Sequence, residues 1–362
     1  MTEQGRTVML VGTRKGLWIG RSEDRETWRW DEPRFLMEEV YSCMIDTRRE
    51  SPRLLVGSGS PHWGPHVYRS DDLGQTWEET PNIMTLPEDA GTGVQQVWQL
   101  WPGAETEPDV VYAGTQPSAL YRSEDRGETF SLVRPLWDHP HRPQWGAGFG
   151  GQAIHTILPH PTDDSRMLVA MSTGGVYRTD NARESWAPAN TGIAAGFMPE
   201  GQQYPEFGQC VHKVTRHPAR PDRLFAQNHG GVYRSDDGGE HWVSVGDTLP
   251  SDFGFPVVVH PQEPDTVYVF PNGAGESRFP PDARALVWRS RDAGETWEAL
   301  GEGLPEAFYS SVVRDAMSAD QSGGLYLGTR VGNVFASIDG GESWREVLKH
   351  VPDVMVVRAA TL

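Results

Sequence analysis

The stretch Tyr233-Arg-Ser-Asp-Asp-Gly-Gly-Glu-His-Trp242 decides the fold, because its pattern Ser-x-Asp-x-Gly-x-Thr/Ser-Trp returns along the whole chain. Some copies are degenerate, and one of them has Asn181 and Arg183 where the pattern has Asp and Gly. Successive copies lie roughly fifty residues apart, which is the length of one four-stranded propeller blade. The copies close on seven aromatic residues, namely Trp28, Trp77, Phe130, Trp186, Trp242, Trp297 and Trp344.

Each copy has the composition of a tight turn between two strands. Ser and Asp side chains accept hydrogen bonds from nearby backbone N–H groups, Gly takes a positive φ, and the aromatic ring returns to the core. Between the copies, short alternating segments bounded by Gly and Pro indicate further strands, such as 153–158, 167–171 and 175–178 in the fourth repeat. The sequence therefore predicts an all-β protein.

The repeat resembles the Asp-box, or bacterial neuraminidase repeat, of the sialidase-like and sortilin-like propellers, and the resemblance covers nearly all of residues 7–359. It implies a seven-bladed β-propeller of four-stranded antiparallel blades. It does not imply one activity, because in that family the box is a structural turn. It occurs in sialidases, other glycoside hydrolases, sorting receptors and photosystem assembly factors.

The ends of the chain predict how the ring closes. The first unit begins at 8–11, which matches a second strand, and 354–358 follows the last copy and matches a first strand. We expect the C-terminal strand to complete the N-terminal blade, which removes an exposed sheet edge. The prediction is one propeller domain over 1–362, with blade 1 shared between 7–31 and 353–359.

Composition limits the partners and the compartment. The formal net charge of -18 argues against nucleic acid, which is bound by clustered Lys and Arg. Mean hydropathy is -0.54, and the sequence has neither an apolar run of membrane length nor an export signal. Cys43 and Cys210 fall in different repeats, which argues against a disulfide and favours the cytoplasm.

The predicted topology separates two faces of the disc. The boxes and the His-Pro turns join strands on one face, so the long segments between blades collect on the other. Irregular loops on a rigid scaffold usually carry the binding chemistry. Ligand-binding candidates on this face are Arg14, Trp98, Trp145, Tyr204, His229 and Arg330.

His155 and His212 are the most informative candidates, because Gln152-Ala-Ile-His155 aligns with Gln209-Cys-Val-His212, and Gln96-Val-Trp-Gln99 is the preceding version. Two imidazoles from neighbouring inner strands would meet at the channel mouth. They are either packing residues shared between repeats or a catalytic or metal pair for a divalent transition metal. The sequence leaves both interpretations open.

Glu206 and Asp252 are the candidate catalytic acids, because each leads into an inner strand on the long-loop face. Two facing carboxylates would serve glycoside hydrolysis, and one carboxylate with the two histidines would hold a metal and activate water. Taken alone, each acid is more often a loop cap or a turn former. Because no Arg-Ile-Pro segment is present, no sialidase residue carries over from the resemblance.

Two functions of different class follow. The first is a glycosidase-like hydrolase, with or without a metal, acting on a small molecule or glycan at the channel mouth. The second is a non-catalytic ligand-binding or assembly propeller that uses the same mouth. Titratable and aromatic residues on one face favour the enzyme. Substrate, metal and oligomeric state stay open at this stage.

Overall fold

Seven four-stranded antiparallel sheets make up the protein in a computed structural model that describes residues 6–81, 84–148, 150–275 and 277–362. In chain order the strands of blades 2 to 4 are Glu39–Asp46, Arg53–Ser60, Gly64–Ser70, Glu78–Glu79; Gln96–Pro102, Val111–Gln116, Ala119–Ser123, Ser131–Leu132; Ile154–Pro159, Met167–Met171, Gly175–Thr179 and Ala187–Pro188. Those of blades 5 to 7 are Val211–Arg216, Leu224–Asn228, Val232–Ser235, Val243–Ser244; Gly254–Val259, Val267–Pro271, Val287–Ser290, Glu298–Leu300; Met317–Ala319, Leu325–Gly328, Val334–Ser337 and Arg345–Leu348. The predicted seven-bladed propeller is confirmed.

Helix is confined to short loop segments among the described residues. The structure has one α-helical turn, Arg134–Trp137, and the 3-10 segments Glu88–Ala90, Arg142–Gln144 and Pro281–Ala283. None of the helices in the described ranges has the length and apolarity needed to cross a lipid bilayer.

Blade 1 closes the ring with strands from both ends of the chain. It contains Thr7–Thr13, Gly16–Ser22 and Arg29–Trp30, and Val354–Thr361 pairs antiparallel with Thr7–Thr13 as the innermost strand. Val354, Val356 and Val357 on that strand are fully buried. The predicted closure by the C-terminal strand is confirmed.

The repeated box forms the turn between the third and fourth strands. In blade 2, Ser70 Oγ accepts the Gly74 N–H at 2.7 Å, and Asp72 accepts the Thr76 N–H at 2.9 Å. Gly74 has φ +89°, and a Cβ there would lie 2.4 Å from Ile19 Cδ1 of blade 1, so the turn also requires glycine for packing. The degenerate copy keeps the turn, because Asn181 Oδ1 accepts the Ser185 N–H at 3.1 Å.

Most inner strands carry a β-bulge where they enter the long-loop face. The pairing register shifts across one residue in blades 2 to 5, at Tyr41, Trp98, His155 and His212. Blade 6 shifts between Gly254 and Val257, and blade 1 shifts opposite Met355. A bulge re-aims the extra side chain out of the regular alternation. Trp98, rather than the Gln99 of the sequence alignment, is therefore the structural equivalent of His155 and His212.

An ion cluster joins the innermost segments of three blades. Lys213 Nζ lies 2.8 Å from Asp315 Oδ1, and Arg358 forms an ion pair with the same oxygen. The side-chain amide of Gln99 lies beside the same cluster, 3.3 Å from Lys213 Nζ. Asp315 is buried, and the two cations hold the pKa of its carboxyl down at about 2 against the opposing effect of burial. The cluster links blades 5, 7 and 1 through one carboxylate.

Candidate functional site

A cavity of about 460 Å³ lies on the long-loop face, and we call it the channel-mouth cavity. The bulges supply part of its wall, because the re-aimed side chains Tyr41, Trp98, His212, Phe255 and Met355 all line it. Hairpins between second and third strands supply another part, including Arg14, Thr173, His229, Arg278 and Arg330. The fold thus directs equivalent positions of several repeats into one space.

Four arginines line the channel-mouth cavity of this acidic protein. Arg14 contacts Glu39 Oε1 at 3.2 Å and Asp353 Oδ2 at 3.0 Å, and Arg330 contacts the same Asp353 oxygen at 2.9 Å. Asp353 therefore neutralises part of the charge on these two. Arg278 lies over the Phe253 ring, 5.6 Å from its centroid.

Arg314 is the arginine held most by aromatic contacts rather than by an acid. Its guanidinium carbon lies 5.4 Å from the Trp98 ring centroid and 5.5 Å from that of Phe255. Its Nη2 is 3.4 Å from Ser172 Oγ, whereas its buried Nε has no hydrogen-bond acceptor among the described residues. Burial lowers the pKa of this guanidinium. An anion in the cavity would supply the counter-charge that no Asp or Glu on the described cavity wall provides.

His212 is fixed in one tautomer by its surroundings. Its Nδ1–H donates to the Gly254 carbonyl at 2.5 Å, and its ring stacks on Phe255 with centroids 4.8 Å apart. Burial, and then the charge of Arg314, holds the pKa of His212 well below its ordinary range, so the ring is neutral and Nε2 is an acceptor. That nitrogen lies 3.7 Å from Cys210 Sγ.

His229 completes a three-residue group with Cys210 and His212. One ligand atom from each of the three side chains lies within 4.8 Å of the others, close enough for the group to be a candidate metal site. The His229 backbone N–H donates to the Cys210 carbonyl at 2.9 Å, which fixes the two positions together. A second group, Asp237, Glu240 and His241, is exposed within a box turn.

His155 does not join this group, which corrects the predicted His155–His212 pair. Its Nε2–H donates to the Val211 carbonyl at 2.9 Å, and its Nδ1 lies 3.2 Å from Thr156 Oγ1. The side chain is fully buried and does not line the cavity. Nε2 therefore ties blade 4 to blade 5, whereas Nδ1 contacts the next residue of its own strand. Of the two interpretations of His155, the structure supports packing.

The two predicted acids stay outside the channel-mouth cavity. Glu206 and Asp252 are exposed, and neither belongs to its wall. Their backbone carbonyls are structural acceptors, from Asn190 Nδ2 at 3.0 Å and from the Gly231 N–H at 2.9 Å respectively. No Asp or Glu occurs among the described residues that line this cavity. The structure therefore does not assemble the predicted acid pair there.

The predicted ligand-binding residues divide into two groups. Arg14, Trp98, His229 and Arg330 line the cavity, whereas Tyr204 is exposed and does not. Trp145 is buried and donates from Nε1 to the Tyr177 hydroxyl at 2.9 Å, so it packs within blade 4. Their roles in binding stay predictions.

Cys210 and Arg314 were not predicted as site residues. Cys210 lies two positions before His212, a spacing that would have indicated a shared ligand set. Arg314 has no comparable signal, because it lies in the irregular segment before the short inner strand Met317–Ala319.

The fold and the cavity together define a seven-bladed propeller with a basic, aromatic pocket at one end of its channel. No family model matches the chain. The oligoxyloglucan-reducing end-specific xyloglucanase of Emericella nidulans is 26% identical over 220 residues, which cover 55% of this chain and 24% of the relative. The chain therefore spans about a quarter of that relative's length.

Solved structures show the same fold at low sequence identity. An ancestral GH74 enzyme has a TM-score of 0.60 at 16% identity, covering 86% of this chain and 39% of that one. YCF48 bound to D1 peptide has a TM-score of 0.55 at 15% identity, covering 86% of this chain and 82% of that one. The chain is thus similar both to glycoside hydrolase propellers and to a peptide-binding propeller.

Proposed function

We propose that the channel-mouth cavity binds a small anionic molecule. The observation that carries this proposal is Arg314, a guanidinium that lies between the Trp98 and Phe255 rings on a cavity wall whose described residues include no Asp or Glu. A charge that is partly removed from water without a counter-charge costs free energy, and an anionic ligand in the cavity would offset that cost. The aromatic walls suit a flat or ring-shaped ligand.

The ligand class follows from the relatives as well as from the charge. We propose that the chain is an Asp-box propeller of glycosidase-like ancestry, supported by the seven box turns and by the xyloglucanase relative. An acidic sugar combines a ring face for Trp98 with a carboxylate for Arg314. Partner binding at the same mouth is the alternative without catalysis, and it is supported by YCF48, which shares the fold and binds D1 peptide.

Hydrolysis is a second candidate function, favoured by the group Cys210, His212 and His229 beside the proposed anion site. A metal held there would activate water without a carboxylate pair. Glu206 and Asp252, exposed and outside the cavity wall, fit the acid pair of a glycosidase less well.

Calorimetry with glucuronate, gluconate, inorganic phosphate and neutral glucose tests the proposal. We expect at least one anion to bind and glucose to bind more weakly. Arg314→Met should weaken anion binding by roughly 10- to 100-fold, because a hydrogen bond to a charged group contributes about 1.5–3 kcal/mol.

The matched control is Arg291→Met, which removes an arginine whose side chain is 60% exposed and pairs with Glu298 and Glu342. This variant should bind as the unaltered protein does. Equal affinity for glucose and the anions, or an Arg314→Met protein with unchanged affinity, would exclude the proposed role of Arg314.

A further inference from the structure

We propose that Cys210, His212 and His229 form a zinc site whose fourth position opens into the channel-mouth cavity. The metal would be held by the Cys210 thiolate, by His212 Nε2 and by one ring nitrogen of His229. The zinc part of this proposal depends on those three side chains alone. The identity of the fourth ligand rests on the proposed function.

The spacing of the donor atoms fits tetrahedral zinc. Zn–S bonds of about 2.3 Å and Zn–N bonds of about 2.0–2.1 Å at a tetrahedral angle separate sulfur from nitrogen by about 3.6 Å. Cys210 Sγ and His212 Nε2 are 3.7 Å apart. One ring nitrogen of His229 lies within 4.8 Å of a donor atom of each of the other two side chains, so His229 would have to move closer to bind the same metal.

The outer contacts of His212 are those of a metal ligand. A ligating histidine almost always donates its other ring N–H to a carbonyl or carboxylate, which fixes the tautomer and directs the lone pair to the metal. Here Nδ1–H donates to the Gly254 carbonyl on the neighbouring inner strand. The lone pair of Nε2 therefore faces Cys210 Sγ.

The backbone holds the three positions without a ligand. The bulge at His212 lies between Val211 and Lys213, and His229 begins the adjacent hairpin with its N–H on the Cys210 carbonyl. Phe253 packs edge-on against both imidazoles, with ring centroids 5.5 Å from His212 and 5.0 Å from His229. A preorganised set of this kind loses little conformational freedom when a metal binds.

A neutral thiol–imidazole contact is the competing explanation of the same geometry. It accounts for Cys210 and His212, and packing against Phe253 and His212 accounts for His229, so the two explanations differ in whether the protein takes up a metal. The positive charges of Arg314 and Arg278 disfavour a cation at this position, whereas the Cys210 thiolate offsets one of the two charges of Zn²⁺. An anion between the zinc and the arginines would offset more, so zinc and anion should bind cooperatively.

Elemental analysis of untagged protein, grown with added zinc and purified without chelator, tests the site. We expect about one zinc per chain, the number that one tetrahedral site holds. After removal of zinc, titration with Co²⁺ should give a thiolate-to-cobalt charge-transfer band in the near ultraviolet. Cys210→Ser should abolish the band, and His229→Gln should weaken zinc binding by more than the roughly 10- to 100-fold typical of an outer contact.

Cys43→Ala is the matched control, because Cys43 is also a buried free cysteine but does not line the cavity. It should keep both the zinc and the cobalt band. If Cys210→Ser does not fold, His229→Gln at the more exposed position carries the test. Unaltered protein that takes up neither zinc nor cobalt, or variants that keep full zinc content, would overturn the proposal.

The zinc and anion proposals fail separately. Protein without zinc that still binds an anion through Arg314 would refute the zinc site alone. Protein with zinc that binds none of the anions would refute the proposed function and leave the metal site standing.

Discussion

Asp315 shows at the scale of one residue how the inner strands are held together. Asp315→Asn would leave Lys213 and Arg358 buried against a neutral amide. Removing one partner of a buried ion pair costs about 3–5 kcal/mol, because the remaining charge loses its compensation. Urea unfolding should show a loss of this size. The control Asp109→Asn breaks an exposed pair with Arg49, whose side chains are 48% and 46% exposed, and should cost less than about 1 kcal/mol. Similar losses in both variants would contradict the assigned role of Asp315.

Buried histidines predict a dependence of stability on pH. Burial lowers the pKa values of His155, His160 and His260 relative to the unfolded chain. At pH values below the unfolded-state pKa of about 6.5, the unfolded state therefore binds more protons than the folded state. The free energy of unfolding falls as the pH falls. Denaturant unfolding at pH 7.5, 6.5 and 5.5 should give a decreasing free energy of unfolding.

A non-titrating substitution isolates one of these groups. His160 Nδ1 accepts the Thr162 N–H at 3.4 Å, and Asp46 and Asp320 accept the equivalent N–H in blades 2 and 7 at 3.1 and 2.8 Å. His160→Asn can accept the same bond without taking up a proton. We expect this variant to lose less stability than the unaltered protein between pH 7.5 and 5.5. An equal loss in both proteins would show that His160 does not contribute to the pH dependence.

At the scale of elements, the sequence predicted the repeat but not the register. Box spacing determines strand count and turn position, because each turn depends on local side-chain bonds such as Ser70 to Gly74. A bulge leaves no such mark, since one extra residue changes the direction of a side chain without changing composition. The alignment therefore paired Gln99 with His155, and it treated His155 and His212 alike although only His212 lines the cavity.

The residues of the candidate site were harder to predict from the sequence than the strands. Arg14, Trp98, His229 and Arg330 could be assigned to the mouth from topology alone, because hairpins and strand starts share a face in every blade. The contribution of Arg314 depends on rings from blades 3 and 6 and on the absence of Asp and Glu from the described cavity wall. Such contacts between distant repeats have no signature in a single sequence.

At the scale of the whole molecule, ring closure concentrates stability and function in the last strand. Val354–Thr361 covers the edge of Thr7–Thr13, and Asp353 just before it holds Arg14 and Arg330 at the cavity. Arg358 on the same strand pairs with Asp315. One strand thus supports the sheet edge, the channel interior and the pocket wall.

Removal of residues 351–362 should therefore unfold the protein or leave it aggregated. Fully burying a valine contributes about 1.5–3 kcal/mol, so the loss of Val354, Val356 and Val357 is comparable with a total stability of about 5–15 kcal/mol. The uncovered Thr7–Thr13 edge would also pair with other chains. Thermal unfolding and light scattering of the truncated chain measure both effects.

A synthetic peptide of residues 351–362 should restore the unfolding transition where a scrambled peptide does not, because the edge requires the register in which Val11 faces Val357. A truncated chain that melts at the temperature of the full protein would show that the ring is held closed by contacts between neighbouring blades instead.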